Sequence, residues 1–165
     1  MEFALGWDSG YLYLAANVTD DVHAQTQHGE LIFRGDILEV LLDKDLAGDF
    51  DSTALSADDY QLGLSPGALS GDSPEAYLWF PAGKAGKPAG VVLAARQAGA
   101  GYSLEAAIPW SLFGLTPGGG LRLGFAVSGS DNDALGTADQ QSMISSAPAR
   151  KLADPTTWGT LVLDN

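Results

Sequence analysis

The sequence predicts an all-β protein: a single antiparallel β-sandwich, jelly-roll or immunoglobulin-like, with one short helical turn. Three observations predict it. Short apolar or alternating runs recur at roughly 8–12-residue intervals. Turn residues separate them, with 21 glycines and eight prolines in 165 residues. Few stretches keep a helical period for long. A chain of this length suits one domain, 1–165, and can bury a substantial core without staples.

The elements follow in order. Phe3 to Leu5 forms a short strand, and Trp7-Asp8-Ser9-Gly10 supplies the chemistry of a tight turn. Tyr11 to Val18 is a strand whose aromatic and aliphatic side chains suit a pleated, buried surface. Thr19-Asp20-Asp21 ends it. Val22 to Leu31 is polar and reads as a loop carrying His23 and His28, whose spacing matches no short metal-ligand motif. Solvated loop histidines are the expectation.

The organising stretch is Phe33-Arg34-Gly35-Asp36 leading into Ile37–Asp43. From Ile37 to Leu42 only Glu39 interrupts the apolar run, as in a strand buried on both faces. An acid there must be paired, hydrogen-bonded, metal-bound, or placed where the face opens to a site. Asp43, Asp45, Asp49 and Asp51 follow, with Gly48 among them. They offer hard oxygen ligands to calcium, though not in the EF-hand pattern. A solvated acidic loop is the other reading.

Asp58 to Leu64 alternates as a strand, and Glu75 to Phe80 is a strand or aromatic edge stopped by Pro81. Gly90–Arg96 and Tyr102–Ile108 form a hairpin about Gly99-Ala100-Gly101. Pro109 to Gly114 is one helical turn, with Pro at its start and Gly at its end. Leu121–Ser128 is a strand running into Asp131-Asn132-Asp133. Gln140–Ser145 is open between strand and loop, and Trp158–Leu163 closes the chain as a strand.

Eight Lys and Arg stand against 21 Asp and Glu, a net charge of −13. That excludes a nucleic-acid partner, which needs clustered cations. It also disfavours an anionic membrane surface. Neutral sugars and divalent cations remain compatible. There is no cysteine, hence no disulfide, thiolate metal site or cysteine nucleophile. No nucleophile elbow, zinc-protease motif or phosphate-binding glycine loop occurs. Glu39 and Glu105 sit in apolar strands, where a glycosidase pair is conceivable and a structural role is the simpler one. The chain reads as a non-enzyme.

The aromatics point elsewhere. A sugar ring has an apolar C–H face and a polar rim, which flat aromatics and carboxylates or amides can match. Trp110 and Trp158 read as core. Phe33, beside Arg34 and Gly35 at the strand mouth, has the best claim to exposure, and Trp79 is next.

Taken together, several segments resemble the family-nine carbohydrate-binding modules, of the DOMON-like β-sandwich superfamily. They are Trp7-Asp8 with Tyr11-Leu12-Tyr13, Val18-Thr19-Asp20, Gly35-Asp36-x-Leu38-Glu39-Val40 ending in Asp43, and Asp59-Tyr60-Gln61. To these add Gly101-Tyr102-x-Leu104-Glu105-Ala106-Ala107-Ile108-Pro109-Trp110, Gly124-Phe125 leading to Asp131-Asn132-Asp133, and Asp154-Pro155-x-x-Trp158-Gly159-x-Leu161. The resemblance implies an antiparallel β-sandwich with calcium-stabilised loops. It implies a non-catalytic module that binds oligosaccharide or polysaccharide between stacked aromatics. Such modules accompany glycoside hydrolases and other secreted proteins, so an extracellular or cell-surface location is expected.

Carried over by position, the first stacking aromatic falls on Phe33 and the hydrogen-bonding acids on Asp20 and Glu39. A family arginine falls on Gln61, a glutamine on Ser128, and the second stacking tryptophan near Leu152. The carbohydrate-binding set is thus Phe33, Glu39, Asp20, Gln61 and Trp79, with Asp43, Asp45, Asp49 and Asp51 as the metal set. The family also begins with a longer N-terminal portion, including an Ile-Asp-Gly opening. Without those strands a sheet edge would be open. A homodimer or strand-swapped assembly is therefore expected, and a structural assembly sandwich without ligand is the alternative function.

Overall fold

The computed structural model describes residues 1–164. Two antiparallel sheets enclose one core. The first has the order β1-β2-β7-β6, built from β1 (Glu2–Trp7), β2 (Tyr11–Thr19), β6 (Val92–Gln97) and β7 (Gly101–Pro109). The second has the order β10-β8-β3-β4-β5. It is built from β3 (Ile37–Asp43), β4 (Asp59–Ser65), β5 (Glu75–Phe80), β8 (Arg122–Asp131) and β10 (Gly159–Val162), and β9 (Ser142–Ser145) adds to β8. The predicted hairpin is β6–β7, and the one α-helical turn, α1, is Trp110–Phe113.

Strand periodicity explains the layering. On β2, Leu12, Leu14 and Ala16 point inward while Tyr11, Tyr13 and Ala15 face out. On β3, Leu38, Val40 and Leu42 enter the core between the sheets, with Tyr60, Leu62 and Leu64 of β4 and Phe125 and Val127 of β8 beside them. Trp110 caps this core, 2 % exposed, and donates its indole N–H to the Asp8 carbonyl. Gly114 ends α1 at φ 65°, the left-handed region a glycine tolerates.

The other face of β3 explains the near-continuous burial of the organising stretch. Ile37, Glu39, Leu41 and Asp43 look away from the core yet are buried. Leu41 packs there with Ala126, Ala147 and Trp158 in a second, smaller cluster. Residues after β8 thus fold over the outer face of the larger sheet. Glu105 differs from expectation. It lies on the outer face of β7, opposite Ala15 and Ala94, and is exposed. Among the described residues, no helix is long and apolar enough to cross a membrane.

Candidate functional site

Where that covering segment leaves a gap, the larger sheet carries a cleft of about 410 Å³ lined by Phe33, Glu39, Gln61, Trp79, Gln140, Met143, Arg150 and Leu152. The register sets its floor. Glu39 of β3 lies between Ser128 of β8 and Gly63 of β4, and Gly63 lies beside Tyr77 of β5. The absence of a side chain at Gly63 is what lets an aromatic lie across the sheet. A Cβ there would stand 2.4 Å from the Trp79 ring and 3.0 Å from Ile32.

Trp79 is fixed by a hydrogen bond from its indole N–H to the Glu30 carbonyl, 2.9 Å. Phe33 sits on a 3-10 turn, Gly29–Arg34, and is half-buried. Its ring meets Trp79 edge-to-face, with centroids 6.2 Å apart at 79°. Tyr77 continues the row, 5.7 Å from Trp79. Phe33 and Trp79 therefore form the aromatic wall of the cleft, Tyr77 lies outside its lining, and Leu152 and Met143 supply apolar surface elsewhere in the cleft.

The polar side is centred on Glu39, whose carboxylate pairs with the Arg150 guanidinium. Both side chains are about nine-tenths buried, at 9 % and 10 % exposure. Burial pushes the Arg150 pKa below its ordinary value. Arg150 also contacts the Met143 sulfur, while its Nε–H has no protein partner. Gln61 donates from Nε2 to the Leu152 carbonyl at 2.8 Å, and Gln140 donates from Nε2 to Ser130 Oγ at 2.9 Å. Each amide is thereby oriented with its carbonyl oxygen left to accept. The cleft offers one charged donor, several acceptors and an aromatic wall. That combination suits a polyhydroxylated ring.

Four of the five sequence-predicted carbohydrate residues, Phe33, Glu39, Gln61 and Trp79, thus share one cleft. Asp20 does not. It follows directly on β2, near His23 and Asp36. Its side chain is 3 % exposed and lines a neighbouring cleft instead. Burial, with Asp36 nearby, pushes its carboxyl above the usual value. Arg34 turns outward, its guanidinium 5.6 Å from the Phe33 ring. Ser128 is fully buried and bonds Ser145.

Arg150 and Gln140 were not singled out in the sequence. The available signal for Arg150 was arithmetic: a buried Glu39 needs a cation, and only eight Lys and Arg exist to supply it. Of the two histidines, His28 is exposed beside Glu75, as expected for a solvated loop. His23 is not solvated: it is held between acids and the Gly67 carbonyl.

The predicted metal set is regrouped. Asp43 and Asp49 converge with Asp58, which approaches from the start of β4. Asp45 and Asp51 are exposed and lie outside that group, because the turn after β3 directs them to solvent. Asp59, the register partner of Asp43, is fully buried, and its Oδ1 has no protein partner. Burial, then neighbouring aspartates, pushes Asp43 and Asp59 up to about 6 each, against opposing backbone N–H bonds. A site that penalises its own negative charge in this way is one a divalent cation would relieve.

Comparison with known proteins fits this geometry. The model of the family described as "Carbohydrate family 9 binding domain-like" matches residues 2–165. No curated protein matches. Among solved structures, a carbohydrate binding module family 9 from Caldicellulosiruptor kristjanssonii in complex with cellotriose superposes with a TM-score of 0.72 at 20 % identity. The match covers 98 % of this chain and 73 % of that one. The same organism's module in complex with glucose gives 0.70 at 20 % identity, covering 98 % and 75 %. The chain belongs to the carbohydrate family 9 binding domain-like family and is a non-catalytic carbohydrate-binding module.

Proposed function

We propose that the Phe33–Trp79 cleft binds a ring of a neutral oligosaccharide or polysaccharide, and that the module targets a larger secreted or surface protein to it. The observation that carries the reading is the juxtaposition of the aromatic wall with the Glu39–Arg150 pair in one cleft. The ring's C–H face packs on Phe33 or Trp79. Its hydroxyls donate to Glu39 and the Gln61 and Gln140 carbonyls, and accept from the Arg150 guanidinium. The structural relatives bind cellotriose and glucose, so gluco-configured sugars are the first to try.

Asp43, Asp49 and Asp58 would hold calcium, with Asp59 behind them. Oxygen-only ligation suits that ion. Its part is to fix the turn after β3, not to touch sugar.

The test of sugar binding is affinity electrophoresis through gels containing soluble β-glucans. Retardation of the wild type that Phe33→Ala loses supports the reading, and equal migration with and without polysaccharide opposes it. A second reading, pairing of two copies, is favoured by β1 forming an edge of the four-stranded sheet. Light scattering tests it: a dimer mass supports pairing, and a monomer mass opposes it.

A further inference from the structure

Beside the sugar cleft lies a second one, of about 290 Å³, lined in part by Thr19, Asp20, Asp36, Tyr102, Ser130 and Asp131. His23 is not part of that lining, but its Nδ1 stands 3.1 Å from Oδ2 of Asp36 and 3.8 Å from Oδ2 of Asp20, two acids that are. We propose that His23, Asp20 and Asp36 form a binding site for a divalent cation of the zinc class, distinct from the all-oxygen Asp43 site.

Four observations carry this. First, His23 Nε2 lies 2.8 Å from the Gly67 carbonyl, which can only accept. Nε2 is therefore the protonated nitrogen, and in the neutral ring the Nδ1 lone pair faces two carboxylates. A metal-bound histidine is oriented in this way by a carbonyl on its far nitrogen. Second, Asp20 Oδ2 has no hydrogen-bond partner in the protein, although its side chain is only 3 % exposed. The Tyr102 hydroxyl, in a residue 1 % exposed, also lacks one and lines the same cleft. Third, the two spacings bracket the ~3.3 Å ligand separation of a tetrahedron with zinc bonds of about 2.0 Å. Fourth, among the described residues no Lys or Arg pairs with Asp20, Asp36 or Asp131.

Asp36 is already braced. Its oxygens accept the Ala24 and Asn132 backbone N–H groups at 2.5 and 2.8 Å, and a carboxylate oxygen keeps a second lone pair for a metal. Imidazole nitrogen selects zinc-class ions over calcium and magnesium. A second proton on Nδ1 is the competitor, since proton and metal would use the same lone pair.

The full chain, stripped with chelator and free of sugar, is titrated with zinc and, separately, with cobalt as its spectroscopic stand-in. The expected results are one tight equivalent of zinc and visible cobalt bands of a nitrogen–oxygen site. His23→Gln and Asp20→Asn should each weaken zinc at least tenfold and leave the calcium response intact. If a variant fails to fold, nitrogen-15 NMR of the wild type decides, with the His23 Nδ1 signal shifting on zinc addition. The proposal is overturned by absent zinc binding, by undiminished affinity in His23→Gln, by response to calcium alone, or by a ring that keeps both protons with zinc present. None of these outcomes depends on whether the neighbouring cleft takes sugar.

Discussion

Glu39 and Arg150 form an ion pair across 111 residues of sequence, and that pair is the floor of the cleft. Either charge alone would be stranded. The strand supplies the acid because its outer face opens here, and the segment after β9 supplies the cation as it crosses the sheet.

Removing one partner should therefore cost stability as well as binding. Arg150→Ala should lower unfolding free energy by about 3 kcal/mol, since it leaves a buried, uncompensated carboxylate. The double variant Glu39→Leu/Arg150→Met should regain most of that loss without regaining sugar affinity. Urea denaturation with binding assays on the three proteins checks this; equal stability of single and double variants would count against it.

Gly63 is predicted to act through Trp79. Its place is mid-strand, so alanine is conformationally allowed, but the new methyl would meet the indole at 2.4 Å. Gly63→Ala should fold, shift tryptophan emission and weaken sugar binding several-fold. Unchanged emission and affinity would show that Trp79 does not depend on that bare backbone.

The calcium reading predicts a pH signature. Unfolded, the Asp43 and Asp59 carboxyls ionise near the ordinary value of about 3.9; folded, they do so at about 6. The native state thus holds the extra protons. Their contribution to stability is fully present below the ordinary value and is lost as pH rises through about 6. In chelator, Tm should fall from pH 4.5 to pH 7. Millimolar calcium should raise Tm at pH 7 more than at pH 4.5, and Asp43→Asn should remove most of that difference. A calcium effect equal at both pH values would contradict the assignment.

Much of this was legible in the sequence, for identifiable reasons. The aromatic and aliphatic run of β2, the alternation of β4, the glycine turn between β6 and β7 and the Pro109–Gly114 turn are local signals, and each marked its element. Burial of Ile37–Leu42 on both faces was also readable, and so was Glu39 as its exception. Phe33 and Trp79 stood out through their neighbours. What escaped was set by chain crossings. Arg150 reaches Glu39 only because the 146–152 segment folds over the sheet, and no local pattern encodes that. Asp58 replaces Asp45 and Asp51 beside Asp43 because strand pairing, not sequence spacing, brings β4 against β3. Asp20 was assigned to the sugar by position, yet the fold sets it in a neighbouring cleft beside His23 and Asp36.

The central claim is that Phe33, Trp79 and the Glu39–Arg150 pair make one sugar site, and titration calorimetry tests it most directly. Glucose and cello-oligosaccharides are titrated into wild type, Phe33→Ala and Trp79→Ala, with calcium present throughout. The account predicts exothermic one-site binding to wild type and at least tenfold weaker binding, about 1.4 kcal/mol, in each variant. Wild-type binding that survives both substitutions would place the sugar elsewhere on the sandwich and contradict it.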